Sequence, residues 1–570
     1  MLDTNPLNLL SIILNYRFVI PVYQRPYTWD EEKILELWND VKENWVWRYQ
    51  NVDNNANHNH FLGSVLTTTV PDGQPGQLYI VDGQQRMTSL TIFAAALIDV
   101  FNSNQVAYDD NLLAMFRGNK SSVFIILNEG SDYFYNVIIE PSRAEDSREA
   151  RKQAISTIKA ETEVESKIKG NYVACYKAIE HYVNNLAINE NKQRHLKGLL
   201  STFLNFLYVV KINVPIGVNI IRIFHTLNAR GEPLSTGDIV KSIIFGSVWN
   251  KPNEFAKVSE LWQDVFGEIE SEPSIDVITS YLRHHYISTR NYVAERDLTK
   301  VYQTIVEPNS IDGSSHAVKL LESLKDEAEH YNTLLQSDSK SDETNTHITL
   351  IRDHLNVTLS FPALLAALGR WSQNPVTLNQ FLRLTENFLF RYFHIQANKN
   401  IPALETFMSD IAKVIRTNQN ALPIVQQMYK DKSADGSFLN AFLIANIGPN
   451  ITKYVIGKLE RQDNVQLMRF ISNTNFKLNY LMPRVPNQYF AKNDIDVDCY
   501  RRIGNLLIWS SKLKLDRTLN TLRNQQQNPL PVNLSSVLQV LDKHQYWGPD
   551  AIIERQTILA KDVNTIWSLS

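Results

Sequence analysis

The sequence is poor in cysteine, in net charge and in long apolar runs. Only Cys175 and Cys499 occur in its 570 residues. Two thiols so far apart exclude a disulfide framework and any four-cysteine zinc site, and they fit a reducing cytoplasm. The 57 Lys/Arg and 60 Asp/Glu leave a net charge of −3. That balance argues against a protein that holds nucleic acid by bulk positive charge, but not against a local basic patch. No apolar run approaches the ~18 residues of a membrane helix; the run Leu90–Phe101 is already short and Asp99 interrupts it. The N-terminal stretch lacks the basic region and small-residue cleavage site of a signal peptide. A GxxxxGK[ST] phosphate loop is missing, and so is any internal repeat. What remains is an ordinary globular composition, 44% hydrophobic and 21% charged, in a chain too long for one core.

Local patterning divides the chain into three. Residues 1–250 read as mixed α and β with a helical insertion. The spacing of apolar residues predicts a helix from Leu2 to Asn15 and a strand at Phe18–Val22. Asp30-Glu31-Glu32 opens an amphipathic helix, with Asp30 as N-cap. Phe61–Leu66 and Gln77–Val81 read as strands, and a helix follows from about Met87. Residues 102–215 look mostly helical. The stretch 251–470 is helical throughout, and 471–570 changes character, with more Asn, Pro and basic residues.

Three segments stand out chemically. In the first, a strand runs into Asp82-Gly83-Gln84-Gln85-Arg86 and then a helix. Glycine at such a turn lets the backbone approach a ligand. A helix N-terminus and a guanidinium both suit phosphate, and Asp82 suits Mg²⁺. Taken alone, the pattern also reads as a polar turn that caps a helix. The second, Gln24-Arg25-Pro26-Tyr27-Thr28-Trp29, sets two polar side chains among aromatics on an extended chain. Alone it reads as a packed loop. The third runs from Leu227 to Lys241, where Asn228, Arg230 and Gly231 crowd one turn. Ser235 or Thr236 then caps a helix carrying Asp238 and Lys241.

Together, Gln24–Trp29, Phe61–Ser64, Val81–Arg86 and Leu227–Lys241 resemble the marks of the N-terminal domain of GmrSD-type, modification-dependent restriction proteins. These marks are a QRPYxW segment, an FLGS strand, a DGQQR box and an LNxRGxPLxxxDxxK segment, in that order. The resemblance covers roughly residues 5–250. It implies a ParB/sulfiredoxin-like fold that binds and hydrolyses NTP with Mg²⁺. Carried over by position, it implies catalytic roles for Asp82, Gln84, Gln85 and Arg86, and nucleotide contacts from Gln24, Arg25, Gly83, Asn228 and Arg230, with Asp82 as metal ligand. Such chemistry rests on positioning and positive charge.

The family's two-part members continue into an HNH-type nuclease domain. Here Ile503–Trp509, with Trp547, Arg555 and Trp567, resembles its later elements. At the first element, Asn479 stands where the family has Glu, and Tyr480 where it has the catalytic His. A phenol that ordinarily titrates near pH ~10 cannot replace imidazole as a base at neutral pH. His544 is the one histidine of the last hundred residues. The expectation is a small α/β, degenerate HNH-like domain at 471–570, following a helical domain at 251–470. Those last hundred residues hold twelve Lys/Arg against eight Asp/Glu, so the acidic surplus lies upstream. Arg501, Arg502, Lys512, Lys514 and Arg517 form a candidate DNA contact, though a solvated helix face reads the same way.

The resulting expectation is a cytoplasmic antiphage-defence protein that associates with no membrane. It acts on nucleotide and phage DNA, as a homo- or hetero-oligomer, with a second protein supplying an intact nuclease. The alternatives are a non-enzymatic, nucleotide-switched binding subunit and an active metal-dependent DNA endonuclease.

Overall fold

A computed structural model describes residues 3–21, 24, 26–50, 59–70, 75–106, 125–126, 159–160, 162–188, 190–214, 235–248, 251–269, 277–306, 316–460, 464–472, 476–482, 499, 501–510, 534–544 and 547–570. The chain forms two compact units. One is Met1–Thr279 with Arg296–Glu322; the other is Ser280–Glu295 with Ser323–Ser570. The second unit therefore includes both the helices after 322 and the C-terminal hundred residues.

The first unit is built on a mixed sheet. Its strands are β1 (Asp3–Asn8), β2 (Arg17–Val19), β3 (His60–Thr69), β4 (Gln77–Asp82), β5 (Ile125–Ile126) and β6 (Leu207–Val214), in the order β1-β6-β3-β4-β2-β5. β3 runs parallel to β6 and antiparallel to β4, and β2 runs parallel to β4. Helices α1 (Leu9–Asn15), α2 (Glu31–Gln50), α3 (Gln84–Ser103), α4 (Glu163–Asn184) and α5 (Lys192–Asn205) belong to the same unit. Every residue of α3 from Met87 to Phe101 is buried, as expected of a helix apolar on all sides. Its neighbour α4 packs along it.

Two segments fold differently from their local sequence pattern. The predicted helix Leu2–Asn15 is a strand followed by a shorter helix. Pro6 lacks a ladder donor and falls on the edge strand β1, opposite Val210. Asn8 then caps α1, accepting from Ser11 N at 2.9 Å. The second is Leu207–Val214, read as part of a helical region. It is a central strand of alternating burial, rich in Val and Ile. Other local signals hold. Asp30 Oδ1 accepts from Lys33 N at 3.2 Å at the start of α2, whose Ile34, Leu37, Trp38 and Val41 are buried.

The second unit is mostly helical. Its only described strands are β7 (Phe476–Tyr480) and β8 (Leu506–Ser510), paired antiparallel. Both cysteines are free and buried. No described helix of the chain is long and apolar enough to cross a membrane.

Candidate nucleotide site

The DGQQR box sits where the sequence places it. β4 ends at Asp82, Gly83 turns the chain, and α3 begins at Gln84. Gly83 has φ +94°, and a Cβ there would stand 3.0 Å from Val65 Cγ2 and 3.3 Å from Ser64 O. Both the left-handed conformation and the close approach require glycine. Asp82 Oδ1 accepts from the Gly83 N–H at 2.8 Å, which fixes its carboxylate at the turn.

Arg86 lies in the first turn of α3 and reaches to β3, where Nη1 donates to Ser64 O at 2.9 Å. The β3–β6 register breaks between Phe61 and Ser64, and Gly63 has φ +109°. A Cβ on Gly63 would stand 3.0 Å from Arg86 Nη2. The FLGS strand thus carries a glycine bulge that cradles the guanidinium. Burial pulls the pKa of Arg86 down and the Asp82 carboxylate pushes it back up; arginine stays charged throughout the physiological range.

The QRPYTW segment is lashed to the same place by long-range bonds. β2 pairs with β4 only as far as Tyr79. Beyond it, Gln24 Nε2 donates to Val81 O at 2.8 Å and Ile80 O at 3.4 Å, continuing the hydrogen bonding of the strand. Gln85 is buried. Its Oε1 accepts from Thr28 N at 2.8 Å and Trp29 N at 3.4 Å, while its Nε2 donates to Pro26 O at 2.8 Å. Tyr27 OH pairs with Ser89 Oγ at 2.6 Å, and Asn171 of α4 donates to Tyr27 OH and Trp29 O. Both ends of the Gln85 amide are thus occupied by backbone groups of residues 26–29. Gln84 is buried beside it.

Replacing Gln85 by Ala strands these backbone groups. It is expected to cost the first unit about 2–3 kcal/mol and to speed hydrogen exchange at Thr28 and Trp29. Unchanged exchange there would refute the strap.

The third segment joins through its helix, α6 (Thr236–Ser247). Ser235 caps it in a capping box with Asp238, whose carboxylate accepts from Ser235 N and Oγ. Lys241 Nζ donates to Gln24 O at 3.4 Å and lies over the Trp262 ring. Arg25, Asn228 and Arg230 lie outside the described residues.

Of these residues Thr28, Trp29 and Arg86 border a cleft of about 520 Å³, which Asp30, Lys33, Glu36, Asp40, His60 and Phe61 also line. All four sequence marks lie within residues 8–245, and that span matches the model of the GmrSD restriction endonuclease N-terminal domain. Residues 8–245 therefore form a domain of that type. No curated protein matches the chain. The GmrSD match ends inside α6, before the second unit begins.

In that unit the IGNL segment, Trp547 and Arg555 meet as structural groups. Asn505 is buried. Its Oδ1 accepts from Met482 N at 2.7 Å and Trp547 Nε1 at 3.2 Å, and its Nδ2 donates to Met482 O at 3.0 Å. Arg555 Nη1 donates to Gly504 O at 2.9 Å and Leu506 O at 2.7 Å. Burial pushes the Arg555 pKa down to about 9. Asn479 and Tyr480 lie on β7, opposite Leu507 and Leu506. His544 Nε2 is paired with Glu554 Oε2 at 2.7 Å. Of the basic cluster, Arg501 is exposed and Arg502 half-buried; Lys512, Lys514 and Arg517 lie outside the described residues.

Residues that sequence reasoning did not single out are Gln85 as a strap, Lys241 as a tie to Gln24, and the His60–Asp40 pair in the cleft wall. His60 Nε2 lies 3.2 Å from Asp40 Oδ2. Only the order of the marks along the chain hinted that they converge.

Proposed function

We propose that the protein is a restriction-like antiphage-defence protein whose GmrSD N-terminal domain binds NTP at the Arg86 cleft and hydrolyses it. The observation that carries this reading is the Arg86 guanidinium, held by Ser64 O against the Gly63 bulge in the wall of a ligand-sized cleft. A fixed cation in a partly buried site is what a transferred phosphoryl group needs. Gly83 gives the phosphates close access to the start of α3. Gln24 and Gln85 hold the segment 26–29 that forms one wall, and Gln84 is the side chain of the box that orients water. Asp82 is a single carboxylate with one oxygen bonded to Gly83 N. It suits Mg²⁺ as one ligand of an ion carried mainly by the triphosphate and water; bound there, the ion would neutralise phosphate charge.

Residues 471–570 are read as a degenerate HNH-like domain that binds DNA or a partner carrying an intact nuclease. Tyr480 in place of the base supports this, as does the commitment of Asn505 and Arg555 to the core. The test is phosphate release by the full chain with each of the four ribonucleoside triphosphates and Mg²⁺, with and without modified and unmodified DNA. Turnover that is lost in Asp82→Ala supports the reading. Nucleotide binding without release would favour a nucleotide-switched binding subunit.

A further inference from the structure

The cleft holds a second polar device opposite in character to Arg86. His60 opens β3, where its N–H donates to Phe206 O at 2.9 Å and its backbone pairs with Leu207. Asp40 lies on α2. The two side chains meet at 3.2 Å and are about one-third and two-fifths exposed, and both line the cleft that Arg86 lines. A carboxylate only accepts, so its partner Nε2 carries the ring proton, and Nδ1 is left with its lone pair. Arginine, lysine and carboxamide side chains cannot take a proton at neutral pH; of the carboxylates nearby, Asp82 is bonded at its turn, Asp30 caps α2 and Glu36 pairs with Lys33.

We infer that His60 is the general base of the hydrolysis, with Asp40 as the positioning residue that sets its tautomer. The inference rests on the NTP reading above. The water oxygen attacks the γ-phosphorus and its proton passes to His60 Nδ1. The bond from the γ-phosphorus to the bridging oxygen breaks, and its electron pair leaves on the nucleoside diphosphate. Asp40 stabilises the imidazolium that forms. The charged groups around the pair are Asp30, Lys33, Glu36 and Glu43 on or next to α2, and Arg86 from α3. Burial raises the Asp40 pKa, His60 lowers it, and Glu43 and Glu36 raise it further.

The experiment uses the full chain and reads two quantities. One is phosphate release from about pH 5 to about pH 9; the other is binding of a fluorescent, non-hydrolysable triphosphate analogue. His60→Ala and His60→Gln are expected to bind the analogue as the wild type does and to release phosphate about 10²–10³-fold more slowly. Glutamine retains a donor for Asp40 but is no base, so it separates base loss from loss of folding. The acidic limb of the wild-type profile disappears in both, and added imidazole restores part of the rate to His60→Ala. Asp40→Asn moves that limb to lower pH. Wild-type turnover and an unchanged pH profile in either His60 variant would overturn the base assignment and leave the NTP reading standing. A wild type that binds no analogue and releases no phosphate would overturn both.

Discussion

Arg86→Ala is expected to lower phosphate release by about 10³-fold, the scale set by removing an arginine from a phosphoryl-transfer site. Arg86→Lys is expected to recover little of it, because a lysine cannot keep one N–H on Ser64 O and present another to a ligand in a fixed fork. The structure adds a test that leaves Arg86 in place. A methyl group at Gly63 would stand 3.0 Å from Arg86 Nη2, on a backbone with φ +109°. Gly63→Ala should therefore move the guanidinium and lose turnover in the same direction. Ser64→Ala keeps the backbone carbonyl that Arg86 uses and should behave as wild type. Equal turnover in the wild type, Gly63→Ala and Arg86→Ala would remove Arg86 from the mechanism.

The second large effect concerns stability. Glu386 is fully buried in the second unit. It is bonded to His347 Nδ1 at 2.6 Å, Lys458 Nζ at 2.8 Å and Tyr454 OH at 2.8 Å. Trp567 Nε1 donates to the same tyrosine at 3.1 Å. Burial alone would raise the Glu386 pKa; Lys458 and His347 outweigh it and hold the carboxyl at about 2, against an ordinary 4.5. Removing one member of a buried charged group leaves the others uncompensated, and Glu386→Ala is expected to cost about 3–5 kcal/mol. The pH dependence has a definite sign. A carboxyl with a lowered folded pKa binds fewer protons in the folded state, so its stabilisation is fully present above about pH 4.5. It is lost as the pH falls toward about 2. Unfolding midpoints of wild type and Glu386→Ala should converge over that interval. A constant gap down to the lower limit would show that the network does not act through ionised Glu386.

What could be read from the sequence was what is local. Asp30 and Ser235 cap their helices because capping needs a side chain within three residues. The turn at Gly83 follows from a strand ending, a glycine and a helix beginning. The misreadings at Asp3–Asn8 and Leu207–Val214 have one cause. Each strand is settled by the other through the β1–β6 ladder, across some 200 residues, and helical spacing in one segment carries no trace of that partner. The site shows the same division. Arg86 was legible as a candidate phosphate ligand by its chemistry. That Gln85 straps residues 26–29, and that His60 meets Asp40 beside Arg86, depends on folding distant segments together. Three of the four marks meet at the cleft through Trp29, Phe61 and Arg86, and Lys241 of the fourth reaches Gln24 O; their order along the chain was the one hint of it.

The most direct test of the account is the structure of the full chain with a non-hydrolysable nucleoside triphosphate and Mg²⁺. The triphosphate is expected in the cleft beside Arg86, with a phosphate oxygen within hydrogen-bond reach of its guanidinium and the γ-phosphoryl group facing His60. A nucleotide bound elsewhere, with the cleft between Trp29, Phe61 and Arg86 holding solvent alone, would contradict it.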